Sequence, residues 1–143
     1  TKWIVQGGKS DRVYVLRQSK LGHIGGEVSV ANICASYGGA AVKGSIVYLP
    51  CTDGVRAVRV STAGRLSVLW HASSTITGSP VIGGKRVWTL DQNGGVLHAL
   101  SPATGRSLEE VQVGQTSRFA TPALYGHLVV VPTLAGVTFV HIS

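Results

Sequence analysis

Apolar residues along this chain are gathered in short runs, and glycine-rich polar segments separate one run from the next. Many of the apolar residues are Val, and the separating segments contain Gly, Asp, Asn and Pro. This pattern predicts short β-strands joined by tight turns. The predicted strands fall near residues 46–50, 55–60, 79–83, 86–90, 96–100, 121–125, 128–132 and 137–142.

The strand pattern repeats with a fixed period. A spacing of 41 residues separates Gly54 from Gly95, Gly95 from Gly136, and Gly64 from Gly105. A period of about 40–50 residues that contains four short strands is typical of β-propeller blades. A β-sandwich is the structural alternative, but the regular spacing argues against it. The predicted fold is therefore all-β, with propeller blades that are four-stranded antiparallel meanders.

The repeat divides the chain into about three and a half predicted blades. Partial blade 0 covers 1–33, blade 1 covers 38–71, blade 2 covers 78–113 and partial blade 3 covers 119–143. Closed propellers have about 4–8 blades. We therefore expect the chain to be part of a larger propeller, in which further blades of the same polypeptide or a second copy cover the ends.

Residues 78–106 (GSPVIGGKRVWTLDQNGGVLHALSPATGR) resemble the repeat of the pyrroloquinoline quinone (PQQ)-like family. The resemblance implies a propeller in which a Trp after the Thr-Gly turn docks one blade on the next. Here Ser101 stands where that turn carries Asp, Glu109 stands at the usual Trp position, and Trp70 lies two residues beyond it in blade 1. Quinoprotein dehydrogenases of the family also often carry two adjacent cysteines, and this sequence has none. We therefore expect a scaffold without a quinone or other cofactor.

Composition and charge narrow the class of protein. The 143 residues are 44% hydrophobic, which is globular, and the formal net charge is +7. That sign favours anionic partners, but the cations are spread from Lys2 to Arg118 without a run. Cations are not interleaved with aromatics as in single-stranded nucleic-acid binders, so no nucleic-acid partner is expected. No apolar stretch reaches the roughly 20 residues of a membrane span.

The start of the chain bears on its origin. The sequence begins at Thr1, contains no Met and carries no signal peptide. We expect it to be a processed, truncated or engineered piece of a longer protein.

Candidate chemistry is sparse. Asp53 and Asp91 suit Ca²⁺ ligation or general-base catalysis, but both lie in Gly-containing turns, where a short polar residue is a common hairpin former. The histidines lack metal-ligand spacing, and no nucleophile elbow is present. We predict no catalytic residues and no metal. A ligand is expected on the loops after each second strand, with Asp91, Asn93 and Arg118 as its candidate contacts.

Cys34 and Cys51 are the two cysteines of the chain. In a meander, the loop after the second strand and the link leaving the fourth strand lie at the same end of the sheet. Cys51 lies in the first kind of loop and Cys34 in the second, so we predict a disulfide between neighbouring blades. The alternative is two separate buried thiols. A disulfide would place the protein in an oxidising compartment.

These observations predict a non-catalytic binding or scaffold propeller that mediates protein–protein or cell-envelope interactions. We expect it to be bacterial and secreted or located in the cell envelope, outside the cytoplasm. The alternative is a fragment of a quinoprotein-type dehydrogenase or of another propeller enzyme.

Overall fold

The computed structural model describes residues 2–142, and the regular elements in that part of the chain are all β-strands. They are, in chain order, β1 (Trp3–Gly7), β2 (Arg12–Arg17), β3 (Ser29–Asn32), β4 (Ala41–Lys43), β5 (Ile46–Leu49), β6 (Arg56–Val60), β7 (Leu66–His71), β8 (Val81–Gly83), β9 (Arg86–Asp91), β10 (Val96–Leu100), β11 (Ser107–Gln112), β12 (Ala123–Tyr125), β13 (Leu128–Thr133) and β14 (Gly136–His141). The predicted strands are confirmed, with ends within two residues of those expected.

The strands form four antiparallel meanders in which each strand pairs with its neighbours along the chain. Sheet I consists of β1–β3, sheet II of β4–β7, sheet III of β8–β11 and sheet IV of β12–β14. Within residues 2–142, sheets II and III have four strands and sheets I and IV have three. This is the all-β architecture that the repeat predicts.

The sheets stack face to face, and a separate hydrophobic cluster fills each junction. Val15, Leu49 and Val58 belong to the cluster between sheets I and II. Tyr48 and Leu100 lie in the cluster between sheets II and III, and a third cluster joins sheets III and IV. Sheets II and III are thus buried on both faces. Their central strands therefore carry near-continuous apolar runs instead of alternating ones.

Glycine closes the turns because the backbone there adopts conformations that other residues rarely allow. Gly54 has φ +120°, and a Cβ at this position would meet the carbonyl oxygens of Ala72 and Ser73. Both the turn and the close approach of the next link therefore require glycine. The corresponding glycines 95 and 136 also have positive φ, so the glycine spacing follows one turn geometry repeated three times.

The outer face of sheet IV is apolar and exposed. Cross-strand rows place Ala123, Val130 and Phe139 side by side, followed by Tyr125, Leu128 and His141. Phe139 is 62% exposed and Tyr125 is 79% exposed. Large exposed apolar patches mark interaction surfaces, so this face has the character of a blade without its neighbour.

Candidate binding face

The meander topology divides the connections between strands into two groups at opposite ends of the sheets. The first group, which we call the linker end, contains the links between sheets and the loops after the second strand of each four-stranded sheet, with their counterparts in sheets I and IV. It consists of residues 8–11, 33–40, 50–55, 72–80, 92–95, 113–122 and 134–135. The second group, the hairpin end, consists of the remaining turns at 18–28, 44–45, 61–65, 84–85, 101–106 and 126–127.

A disulfide and a backbone bond join sheets I and II at the linker end. The structure pairs Cys34 with Cys51 at a Cα–Cα distance of 5.6 Å. Beside this bridge, the Thr52 N–H donates to the Ala35 carbonyl at 3.0 Å. The loop after β5 and the link before β4 are therefore held against each other.

Side-chain hydrogen bonds continue this connection across the other sheets. The Gly39 N–H donates to Ser79 Oγ at 3.1 Å, which ties the links before β4 and β8 together. Gln92 Nε2 donates to the Ala120 carbonyl at 3.3 Å, and Thr116 Oγ1 donates to the Gln92 carbonyl at 3.3 Å. Loops of all four sheets thus form one connected surface at this end.

A groove of about 360 Å³ opens on this surface. Three inter-sheet links and two loops after second strands contribute its walls. The lining residues are Tyr37, Gly38, Gly39, Pro50, Thr52, Thr77, Ser79, Gln92, Arg118, Phe119 and Thr121.

The groove combines exposed aromatic rings with hydroxyl groups and one cation. Tyr37 is 51% exposed and Phe119 is 75% exposed. Arg118 lies over the Phe119 ring, with Cζ 6.0 Å from the centroid, and Lys9 Nζ lies 5.4 Å from the centroid of Tyr37. Hydroxyls of Thr and Ser line the rest. Such a surface offers aromatic contacts, neutral hydrogen bonds and a single positive charge to a ligand.

The structure separates the three residues predicted to contact a ligand. Arg118 lines the groove. Asp91 instead closes its own turn, because Oδ1 accepts hydrogen bonds from the N–H groups of Asn93 and Gly94 at 3.1 and 2.8 Å. Asn93 is exposed in that turn, and its neighbour Gln92 is the residue that reaches the groove.

Asp53 has a similar local role in the corresponding loop of sheet II. Its carboxylate accepts two hydrogen bonds from the Arg56 guanidinium, at 2.6 and 2.8 Å. These hydrogen bonds lower the pKa of Asp53, and burial opposes them weakly. The carboxylate is therefore engaged in a surface ion pair rather than directed at the groove.

Sequence reasoning did not identify the aromatic residues of the groove. Tyr37 and Phe119 lie in the links before β4 and β12, outside the strand repeat that organised the prediction. A signal was present, because each link sits at the same point of the repeat, two or more residues before an inner strand. Links of this kind meet at one end of the stacked sheets only once the sheets are assembled.

The tryptophans and histidines contribute mainly to packing. Trp88 is buried and donates from Nε1 to the Gly83 carbonyl at 3.0 Å. Trp70 donates from Nε1 to the Pro102 carbonyl of the next sheet at 2.8 Å. His98 is buried, with Nδ1 2.9 Å from Ser107 Oγ. Among residues 2–142, no three His, Cys, Asp or Glu side chains converge as metal ligands.

Nor does the part of the chain that the structure describes contain a helix with the length and apolarity needed to cross a membrane.

The comparisons with known proteins bear on the fold. No family model matches the sequence, and no curated protein matches it. Among solved structures, the crystal structure of BamB from Moraxella catarrhalis superposes with a TM-score of 0.71 at 16% identity over 99% of this chain. The chain has a β-propeller fold. It spans 42% of the BamB chain, which is less than half of that propeller.

Proposed function

We propose that this chain is a non-catalytic segment of a PQQ-like propeller that binds protein partners at its linker end. The groove at that end carries the proposal. Tyr37 and Phe119 expose their rings to solvent there, and Arg118 supplies the charge. Aromatic and Arg side chains are enriched where proteins bind one another.

The groove favours an extended polypeptide as its occupant. It is open along its length and crosses three sheets, so it suits a chain better than a compact small molecule. Thr52, Thr77 and Ser79 offer donors and acceptors to a peptide backbone. Arg118 would hold a carboxylate, either of an acidic side chain or of a chain terminus. An apolar or aromatic residue of the partner would pack on Phe119.

The PQQ-like assignment rests on one further contact. Trp70 of sheet II lies against the turn of sheet III, where Gly105 leaves space for its ring. This is the inter-blade docking that the resemblance implies for the family's Trp. We propose that the blade limits are those of the repeat, at 1–33, 38–71, 78–113 and 119–143.

The exposed ends of the stack support a larger assembly. The outer face of sheet IV exposes Tyr125 and Phe139, and within the described residues β1 pairs on one side only. We propose that further propeller blades, of the same polypeptide or of a second copy, cover these ends.

The disulfide supports an extracytoplasmic location, because disulfides persist in oxidising compartments and are rare in the cytosol. A secreted or cell-envelope location agrees with a binding module.

A pair of matched substitutions tests the binding site. The chain contains two phenylalanines, Phe119 in the groove and Phe139 on the outer face of sheet IV. On an array of immobilised peptides with free C-terminal carboxylates, Phe119→Ala should abolish the signals that the wild-type chain gives. Phe139→Ala should leave them in place. Equal loss in both variants, or a wild-type chain that binds no peptide, would contradict the proposal.

Calorimetry with PQQ distinguishes the enzymatic alternative. Tight binding of the quinone would overturn the non-catalytic assignment, whatever the peptide array shows.

A further inference from the structure

The cations of this chain are concentrated at the hairpin end. Of the 13 Lys and Arg residues, nine lie in the turns of that end or at the strand positions that border them. These nine are Lys2, Arg17, Lys20, Lys43, Arg59, Arg65, Lys85, Arg86 and Arg106. The acidic residue in the same set of turns is Glu27, so the described part of this end has a formal charge of +8.

The rest of the chain is nearly balanced. Four cations, Lys9, Arg12, Arg56 and Arg118, stand against five carboxylates there. The net charge of +7 therefore comes from one end of the molecule.

The topology produces this distribution. Arg65 and Arg106 occupy corresponding turns exactly one period of 41 residues apart, and Lys43 and Lys85 border corresponding hairpins. Residues that are far apart in the sequence are thus brought to the same end of neighbouring sheets.

Contacts between sheets join these turns into one surface. Gly64 in the turn of sheet II lies beside the Trp3 ring of sheet I, and its carbonyl accepts a hydrogen bond from Ser29 Oγ. Gly84 in the hairpin of sheet III lies beside Ile142, which follows β14 of sheet IV. Arg17 Cζ is 5.1 Å from the centroid of Trp3 and borders the same surface.

The nine cations are available for a partner. In residues 2–142 the side-chain ion pairs are Arg56–Asp53 and His98–Glu110, and neither involves the hairpin end. Eight of the nine cations are exposed, and Arg86 is half-buried.

We propose that the hairpin end binds the surface of an anionic lipid bilayer. The loop 18–28 favours a bilayer over another polyanion. Its Leu21 is 50% exposed and its Ile24 is fully exposed, beside Arg17 and Lys20. The boundary between headgroups and acyl chains buries such apolar side chains while the headgroups bind the cations. A phosphodiester backbone offers the charge without an apolar layer.

Binding to vesicles tests the proposal on the full chain. Wild-type protein should co-sediment with phosphatidylcholine vesicles that contain about one-third phosphatidylglycerol and should not co-sediment with pure phosphatidylcholine. Binding should disappear at about 1 M salt, where the Debye length is about 3 Å.

A matched pair of charge reversals locates the surface. Lys43→Glu with Lys85→Glu changes the hairpin end, and Lys9→Glu with Arg12→Glu makes the same change in net charge at the linker end. Each cation near an anionic surface raises partitioning roughly fivefold, so the first double variant should bind at least about 30-fold more weakly. The second should stay within about threefold, because strands of this length separate the ends by roughly 17–20 Å, beyond the Debye length.

Equal losses in the two double variants would overturn the proposal, since they would mean that net charge alone governs binding. Wild-type chain that binds no anionic vesicles at about 0.1 M salt would also overturn it. Replacing Glu by Gln at both hairpin positions keeps the test valid if charge reversal prevents folding.

Ile24→Ser distinguishes a bilayer from a nucleic acid. The substitution should weaken vesicle binding several-fold. An unchanged vesicle affinity, together with tighter binding to a DNA duplex than to vesicles, would overturn the proposal in favour of a nucleic-acid partner.

Discussion

Cys34 and Cys51 are buried residues whose bond links two sheets that otherwise meet through apolar packing. The bridge closes a loop with a sequence separation of 17 residues. In the chain-entropy model a loop of about this size contributes roughly 3 kcal/mol. We expect Cys34→Ala with Cys51→Ala to lower the free energy of unfolding by about that amount in urea titrations.

Reduction of the wild-type protein provides the control, and it should shift the urea midpoint by a similar amount. Two reactive thiols in unfolded, unreduced protein would show that the bridge does not form in the native molecule.

His98 gives the molecule a pH-dependent residue in its interior. Burial lowers the pKa of His98, and the nearby carboxylates of Glu110 and Asp91 oppose the effect. The unfolded chain therefore takes up a proton at a higher pH than the folded chain does. Stability should accordingly fall as the pH drops below about 6.5, the ordinary pKa of His.

We expect His98→Gln to reduce this loss of stability between neutral pH and about pH 5, measured by urea titration at each pH. His127→Gln, in an exposed hairpin, should retain the wild-type pH profile. A His98→Gln profile as steep as that of the wild type would show that other groups cause the pH dependence.

Between elements, the contact of β7 with the turn after β10 holds sheet II against sheet III. Trp70 is buried, donates a hydrogen bond to the Pro102 carbonyl, and leaves no room for a Cβ at Gly105. Gly105 and Gly114 both have positive φ, at 71° and 101°, but the space around Gly114 is open. Alanine therefore costs backbone strain at both positions and meets the Trp70 ring at one of them.

We expect Gly105→Ala to destabilise the protein by about 1–3 kcal/mol more than Gly114→Ala does, because overpacking adds to the strain. Urea or thermal unfolding measures the difference. Equal effects would mean that the Trp70 ring moves aside without cost. Trp70→Phe, which loses the hydrogen bond and part of the ring, should cost about 1–3 kcal/mol.

For the whole molecule, the exposed outer face of sheet IV has the largest consequence. Val137 and Phe139 project from β14, and both are more than half exposed. We expect this chain in isolation to associate at higher concentration in sedimentation experiments. Phe139→Glu should shift it towards the monomer, because a charge at the centre of an apolar face opposes association.

Phe119→Glu, which places the same charge in the groove, should leave association unchanged. A wild-type chain that stays monomeric at all concentrations, with both ends of the stack open to solvent, would contradict the expectation that further blades cover them.

The strands and turns follow from the sequence because their causes are local. Alternation of Val-rich runs with glycines at a period of 41 residues specifies short strands and positive-φ turns in each repeat, and the same register places Cys34 and Cys51 at one end. The roles of individual polar residues were less predictable. Asp91 completes its own turn through two backbone N–H groups, although its position in the loop was compatible with a ligand contact.

Only the tertiary structure decided which distant residues share a surface. Tyr37, Gln92 and Phe119 meet in the groove because three sheets stack with their links at the same end. The cations look scattered along the chain, yet the meander carries nine of them to the opposite end. Proximity of this kind depends on the order in which whole sheets pack, and that order is set by apolar contacts between sheets rather than by the residues that form the surface.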